Sequence, residues 1–189
     1  MRTLLLALAL CSAAAQAALD VQGVKFEDRV QVGNTELKLS GAGMRAKFFL
    51  KVYVVGLYAA EKKAAATEML TAKGAKRLHI VTLRELTGEQ FADALVEGIR
   101  KNSPEADVEA MRPRIEQFKA FILALKTAPK GTVVQIDWLP ESGTRLVVDG
   151  QKRGEDIPGE DFYRALLKIW LGEHPAQDDL KDALLGKPG

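Results

Sequence analysis

Arg45 and Tyr53 are the two residues in this sequence best suited to bind an anion. Arg45 follows Gly41-Ala42-Gly43-Met44, which predicts a glycine turn, and precedes a run of β-branched and aromatic residues typical of a strand. Its guanidinium is always charged, and its planar fork of donors matches carboxylate or phenolate oxygens. In a continuous strand, even spacing would put Phe49 and Tyr53 on the same face as Arg45, so the Tyr53 hydroxyl would be a second donor. The alternatives are a solvated surface arginine and a core tyrosine bonded to the backbone.

Few other residues suggest a reaction. The two histidines, His79 and His174, have no second ligand at the spacing of a metal motif such as HExxH, so we expect a core histidine and a helix-terminal histidine. The sequence contains no nucleophile elbow, phosphate loop or dinucleotide fingerprint. We therefore expect no metal and no cofactor. The formal net charge of +2 lacks the basic excess typical of a nucleic-acid-binding domain.

Residues 1–17 have the features of a secretory signal peptide rather than of a buried core helix. Arg2 supplies the positive start, an apolar segment follows it, and Ala15-Gln16-Ala17 is a small-residue cleavage site. Cleavage would remove Cys11, the only cysteine, and leave no disulfide or thiol chemistry. Leu10 stands before Cys11 and argues against lipidation. We expect a periplasmic or secreted protein in which residues 18–189 form one domain large enough to bury a core.

The first half of the mature chain predicts the β-structure that would position Arg45. Gly33-Asn34 separates two short apolar-polar segments and predicts a hairpin. The segment from Ala46 to Ala60 is the longest predicted strand, and Arg77 to Leu86 is another. Between these strands, the Ala-rich and charged segment from Glu61 to Ala72 predicts a helix.

The second half predicts helices and a further hairpin. Thr87 and Gln90 form a capping box that starts a helix, on which Phe91 and Leu95 share one face. Asn102-Ser103-Pro104 ends this helix. Further elements are predicted as a helix over 105–126 with a kink at Pro113, strands over 132–139 and 144–148, and helices over 162–172 and 177–185. This order indicates an α+β fold, an antiparallel β-sheet with helices packed on one face.

Four short motifs make the sequence resemble the chalcone isomerase-like family over nearly all of the mature chain. In chain order they are Gly41-Ala42-Gly43-Met44-Arg45, Val55-Gly56-Leu57-Tyr58, Arg84-Glu85-Leu86-Thr87-Gly88 and Leu171-Gly172-Glu173-His174, the last followed by Asp179-Leu180-Lys181. Together with the signal peptide, they resemble the secreted bacterial branch most closely. The resemblance implies an open-faced sandwich of one antiparallel sheet and its helices.

The resemblance also implies a set of site positions. In the plant enzymes of the family, which close a chalcone into a flavanone, an arginine holds the attacking phenolate. A threonine, a tyrosine, an asparagine and a second threonine complete the polar site. Carried onto this sequence, the arginine is Arg45 and the other positions are Tyr53, Phe91, Gly98 and Ile169. Since the loss of one oxyanion donor can cost ~100–1,000-fold in rate, these replacements argue against chalcone cyclisation.

The sequence therefore favours a non-catalytic binding protein. An apolar cavity with one cation at its mouth suits a fatty acid or a similar apolar anion, and non-catalytic relatives bind fatty acids through this arginine. The expected ligand-binding residues are Arg45, Tyr53, Phe91, Leu95 and Ile169. One alternative is an intramolecular lyase of the chalcone isomerase type, with Arg45 catalytic and Tyr53 donating to the oxyanion. Another is an interaction module with a filled core and no pocket. The sequence defines neither the ligand nor the oligomeric state.

Overall fold

The computed structural model describes residues 18–187, so the expected signal peptide lies outside the described residues. The strands are β1 (Leu19–Val21), β2 (Val24–Phe26), β3 (Arg29–Val32), β4 (Thr35–Lys47), β5 (Leu50–Ala59), β6 (Lys76–Thr82), β7 (Leu86–Thr87), β8 (Thr127–Ala128), β9 (Val133–Leu139), β10 (Gly143–Val148) and β11 (Gln151–Ile157). The helices are α1 (Ala66–Thr71), α2 (Gly88–Lys101), α3 (Glu105–Leu123), α4 (Glu160–Leu171) and α5 (Asp178–Leu184).

Seven of these strands form one antiparallel sheet in the order β11-β10-β9-β6-β5-β4-β3. Alternate residues of β5, namely Tyr53, Val55 and Leu57, point toward the helices and share a core with buried residues of α2, α3 and α4. The α+β architecture expected from the sequence is therefore confirmed. Within residues 18–187, no helix combines the length and apolar character needed to cross a membrane.

The opposite face of the sheet is covered in part by the β1–β2 hairpin. Phe26 of this hairpin is buried and packs in a second core with Val54 and Tyr58 of β5. A Cβ atom at Gly56 would lie 2.6 Å from the Phe26 ring, so only glycine leaves room for this contact. Both faces of β5 are thus buried, which explains its nearly continuous apolar sequence.

The strand predicted over 46–60 is wrong in its first residues. β4 ends and β5 begins inside that segment, and a turn at Phe48 and Phe49 separates them. Phe48 adopts a φ of +55°, a left-handed conformation that glycine or asparagine usually supplies, so the residue types do not mark the turn. Phe49 is 99% exposed and does not share a strand face with Arg45.

Other elements are confirmed with shifted ends. Gly33-Asn34 connects β3 to β4 as a hairpin. Both halves of the capping box are present, since Thr87 Oγ1 accepts from the Gln90 N–H and Gln90 Oε1 accepts from the Thr87 N–H, each at 3.1 Å. The helix predicted over 61–72 is confined to α1, and the strand predicted over 77–86 ends four residues early, at Thr82. α3 continues through Pro113, and β11 was not predicted.

Candidate functional site

The sequence predicted a turn at the Gly-x-Gly segment before Arg45. This prediction is wrong, because the segment lies in the interior of β4. Its glycines serve close packing, because a Cβ at Gly41 would lie 2.0 Å from the Ala183 carbonyl oxygen of α5. A Cβ at Gly43 would lie 2.8 Å from the Leu180 side chain. Because these glycines have a hydrogen in place of a side chain, α5 lies directly against β4, and this contact brings the start of α5 over Arg45.

Arg45 is half-buried and is held by Gln177, the residue at the N-cap position of α5. Its Nη1 donates to Gln177 Oε1 at 3.0 Å and to the Ala46 carbonyl oxygen. Gln177 Oε1 also accepts from the Ala46 N–H at 2.9 Å, and its Nε2 donates to the Met44 carbonyl oxygen at 3.3 Å. Among residues 18–187, no carboxylate lies within ion-pair distance of Arg45. The guanidinium is therefore oriented by neutral oxygens, and no carboxylate in the described part of the chain compensates its charge.

Tyr53 lies directly opposite Arg45 in the β4–β5 ladder, so the two side chains share a face. The reason differs from the predicted one, because they are cross-strand partners and not residues of one strand. The ladder shifts register beside this pair, which leaves Val52 as an extra residue on β5. Such a bulge bends the strand and redirects neighbouring side chains, here at the edge of the candidate site.

The Tyr53 hydroxyl is buried and remains protonated over the physiological range. Burial raises the pKa of Tyr53 to about 12, although the hydrogen bond from Trp170 and the charge of Arg45 act in the opposite direction. Trp170 Nε1 donates to the Tyr53 oxygen at 2.9 Å. In the described part of the chain, no group accepts the hydroxyl proton, so Tyr53 retains one donor for a ligand.

A cleft of about 700 Å³ opens between the end of the β4–β5 hairpin and helices α2 and α4. All five residues expected to bind a ligand line it: Arg45, Tyr53, Phe91, Leu95 and Ile169. The cleft therefore brings the expected residues together, although their contact with a ligand stays a prediction. The expectation attached to an interaction module, a filled core without a pocket, does not match this geometry.

Gly98 and Ile169, two positions at which the family resemblance implies polar residues in the plant enzymes, pack against each other. A Cβ at Gly98 of α2 would lie 2.8 Å from the Ile169 side chain of α4. The missing side chain at position 98 therefore makes room for the larger apolar one at position 169. This pair, together with Phe91, gives the wall of the cleft an apolar surface without hydroxyl donors.

Charged residues surround the mouth of the cleft. Lys47 and Arg84 are exposed there, and the exposed acids Asp93 and Glu97 lie on α2. Lys101 Nζ lies 2.6 Å from Glu97 Oε1, and this hydrogen bond is the main reason why the pKa of Glu97 is lowered. Among the arginines and lysines that line the cleft, Arg45 is half-buried, whereas Lys47, Arg84 and Lys101 are exposed.

The two histidines occupy different environments. His79 is half-buried on the sheet face opposite the helices, with Nδ1 3.2 Å from Gln135 Nε2 and its ring edge-on to Phe26. Its burial lowers its pKa, as expected for a core histidine. His174 is exposed and follows α4, and its backbone is fixed by Asn102 while its side chain borders the cleft. Residues 18–187 contain no cluster of acidic, histidine or cysteine side chains that could hold a metal.

Gln177 and Trp170 are site residues that the sequence did not identify. Both lie more than a hundred positions from the residues they contact, Arg45 and Tyr53. Neither belongs to a motif with a known chemical role, and an amide or indole donor is recognised only once its partner is known. A signal for α5 did exist in Gly41 and Gly43, because two glycines spaced by two within a strand indicate a close neighbouring element, but the sequence predicted a turn there instead.

The fold and the cleft define a chalcone isomerase-like α+β protein. A model of that family, described as chalcone isomerase-like, matches residues 18–186, and the chain belongs to this family. The crystal structure of a fatty-acid binding protein from Arabidopsis thaliana is similar in fold, with a TM-score of 0.64 and 14% sequence identity over 89% of this chain and 96% of that one. Comparison with curated proteins found no match.

Proposed function

We propose that this protein is a non-catalytic, periplasmic binding protein for a fatty acid or a similar apolar anion. The observation that carries this proposal is the location of the Arg45 guanidinium and the partners that it contacts. Its guanidinium lies at an apolar cleft, is oriented by Gln177, and has no carboxylate partner in the described part of the chain. A half-buried cation in this position gains most from a ligand that brings its own carboxylate.

The cleft has the two parts that such a ligand needs. The carboxylate would accept from Arg45, and the free Tyr53 hydroxyl proton provides a second donor on the same face. The hydrocarbon chain would lie along Phe91, Leu95 and Ile169. The volume of about 700 Å³ falls inside the range of roughly 300–1,000 Å³ typical of small-molecule sites.

The arrangement is poor for chalcone cyclisation. Phe91, Gly98 and Ile169 offer no donor where the plant enzymes have polar groups, and losing even one such donor costs ~100–1,000-fold. One observation favours the second candidate, an intramolecular lyase on another substrate. Tyr53 is anchored by Trp170 and could still donate to an oxyanion.

The plant neighbour shows that a binding function is compatible with this fold. That protein is a fatty-acid binding protein, so this fold can hold an apolar anion. At 14% identity, the comparison establishes the fold alone, and the ligand class of the present chain rests on its own cleft.

The periplasmic location rests on the sequence of residues 1–17. The region matched by the family model starts at residue 18, directly after the expected cleavage site, which supports a mature domain beginning there. Expression of the full chain in a Gram-negative host, followed by intact-mass measurement of the periplasmic fraction, tests this. A mature mass matching cleavage after Ala17 is expected, and an uncleaved cytoplasmic product would contradict the location.

The binding function is tested with delipidated protein and a pair of matched ligands. Calorimetric titration compares palmitate with hexadecanol, which differ only in the head group. The wild-type protein should bind palmitate at least ~10-fold more tightly. Arg45→Met keeps the apolar stem but removes the charge, and it should abolish this preference. Equal palmitate affinity in the wild type and in Arg45→Met would exclude the role of Arg45.

Two further measurements separate the candidates. Mass spectrometry of lipids that copurify from the periplasm should identify an apolar carboxylic acid. A panel of chalcones should show no turnover above the solvent rate. Turnover that disappears in both Arg45→Met and Tyr53→Phe would instead support the lyase.

A further inference from the structure

The turn between β4 and β5 presents large apolar side chains to solvent. Phe48 is 85% exposed, Phe49 is 99% exposed and Leu50 is 53% exposed. They are consecutive, whereas the other large exposed hydrophobic residues within 18–187, Leu19 and Leu123, stand alone and are less exposed. We call the segment from Lys47 to Lys51 the hairpin tip. A contiguous apolar surface of this kind marks a site of interaction, since solitary exposed residues are ordinary but clusters are not.

The charge around the tip selects the type of partner. Lys47 and Lys51 flank the three apolar residues on both sides, and residues 37–60 include no acidic residue. The acids at the cleft mouth, Asp93 and Glu97, lie on α2, and Glu97 is paired with Lys101. Apolar side chains bordered by lysines match the surface of an anionic bilayer, where the rings enter the acyl boundary and the ammonium groups meet phosphates. A stable protein interface requires roughly 20–30 residues on each side, far more than three projecting side chains provide.

The tip is continuous with the candidate site. Lys47, Phe48 and Leu50 also line the cleft, whereas Phe49 does not. A surface that receives the tip would therefore lie against the mouth of the cleft, a few side chains away from Arg45. We propose that the hairpin tip docks the protein on anionic lipid bilayers, with the cleft mouth facing the membrane. Docking itself is independent of the ligand, but direct exchange of a fatty acid between bilayer and cleft rests on the proposed function.

Flotation of residues 18–189 with phospholipid vesicles tests the docking. Vesicles containing phosphatidylglycerol should bind the protein, and pure phosphatidylcholine vesicles should bind it at least ~10-fold more weakly. Phe49→Ser should reduce binding by roughly 10-fold or more, and each of Lys47→Gln and Lys51→Gln by about fivefold. Leu123→Ser, which removes an exposed apolar side chain elsewhere, is the matched control and should bind like the wild type.

The outcomes separate this proposal from the proposed function. Phe49→Ser should keep the wild-type affinity for palmitate in solution, because Phe49 is outside the cleft, and Arg45→Met should keep wild-type vesicle binding. Wild-type protein that stays unbound to phosphatidylglycerol vesicles, or Phe49→Ser protein that binds them equally well, would overturn docking. A dimer in solution that Phe49→Ser dissociates would also overturn it, since the tip would then bind a second copy of the chain.

Discussion

Arg45 and Arg77 lie on opposite faces of the same sheet and have opposite electrostatic surroundings. Each lies directly across from a tyrosine, Tyr53 for Arg45 and Tyr58 for Arg77. Arg77 also faces Asp137 on β9 and binds both of its carboxylate oxygens at 2.7 Å. Arg45 lies near the end of β4, and its anchoring partners are oxygens of an amide and a carbonyl.

The difference separates a structural arginine from a binding one. The side chains of Arg77 and Asp137 are 13% and 4% exposed, so the carboxylate compensates a charge that is largely shielded from water. Arg45 is oriented by Gln177 and the Ala46 carbonyl oxygen, but no carboxylate in the described part of the chain compensates its charge at the cleft. In a half-buried position, that arrangement costs stability unless an anion from outside completes it.

The largest effect should come from breaking the compensated pair. Arg77→Met leaves the Asp137 carboxylate buried without its bidentate partner, which should destabilise the fold by ~3–5 kcal/mol. Arg45→Met removes a charge without orphaning another and should change stability by less than ~1 kcal/mol. Urea denaturation of both variants measures this contrast.

A double variant provides the control for this comparison. Arg77→Met combined with Asp137→Leu removes both buried charges and should restore most of the lost stability, as replaced buried pairs often do. If Arg77→Met and Arg45→Met destabilise the protein equally, the distinction between a structural and a binding arginine is wrong.

The next effect concerns how Arg45 is positioned. A Cβ at Gly43 would lie 2.8 Å from Leu180 and 2.9 Å from Ala183, so Gly43→Ala should displace α5 and destabilise the fold by about 1–3 kcal/mol. The displacement should also move Gln177 and weaken palmitate binding. Denaturation and calorimetry on the same preparation measure both losses. Shortening the obstructing side chain with Leu180→Ala in the Gly43→Ala background should recover part of the palmitate binding. Unchanged palmitate binding in Gly43→Ala alone would show that α5 does not position the site.

The architecture was largely predictable because it depends on local patterns. The capping box at Thr87 and the hairpin at Gly33-Asn34 follow from short-range hydrogen bonding and backbone conformation. The turn at Phe48 was missed because phenylalanine in a left-handed conformation has no sequence signal. β11 was missed because its residues, Gln151–Ile157, alternate weakly at the exposed edge of the sheet.

The sequence predicted which residues belong to the site but not how they are arranged in space. Arg45 and Tyr53 were grouped by an assumed continuous strand, and the structure groups them by cross-strand pairing. Gln177 and Trp170, which orient them, depend on packing between distant elements. Such contacts become visible only when the helices are placed on the sheet.

A smaller and more specific effect should follow from giving Arg45 its own carboxylate. Gln177→Glu places an acidic oxygen where Gln177 Oε1 now accepts from Nη1 at 3.0 Å. Arg45 would then resemble Arg77, and an internal carboxylate should lower palmitate affinity by about 10-fold while stability stays within ~1 kcal/mol of the wild type. Gln177→Ala is the control, because it removes the anchor without adding charge and should weaken binding less. Unchanged affinity in Gln177→Glu would mean that the ligand head group lies elsewhere.

The smallest expected effect at neutral pH concerns the tyrosine opposite Arg45. Tyr53→Phe removes the acceptor of the Trp170 N–H and should destabilise the fold by about 1 kcal/mol, with a two- to tenfold loss of palmitate affinity if the hydroxyl donates to the ligand.

The stability of the protein at alkaline pH is a more specific test of the Tyr53 hydroxyl. Because burial raises the Tyr53 pKa from 10.0 to about 12, the folded state holds the proton more tightly than the unfolded state. The stabilisation from this proton is therefore complete below pH 10 and is lost as the pH rises through about 12. Burial likewise raises the pKa of Tyr58 and Tyr163, so the wild-type protein should lose stability over this window, and Tyr53→Phe should lose less. Denaturation midpoints measured from pH 8 to about pH 11 compare the slopes, and an identical slope in Tyr53→Phe would show that the Tyr53 hydroxyl is in contact with water rather than buried.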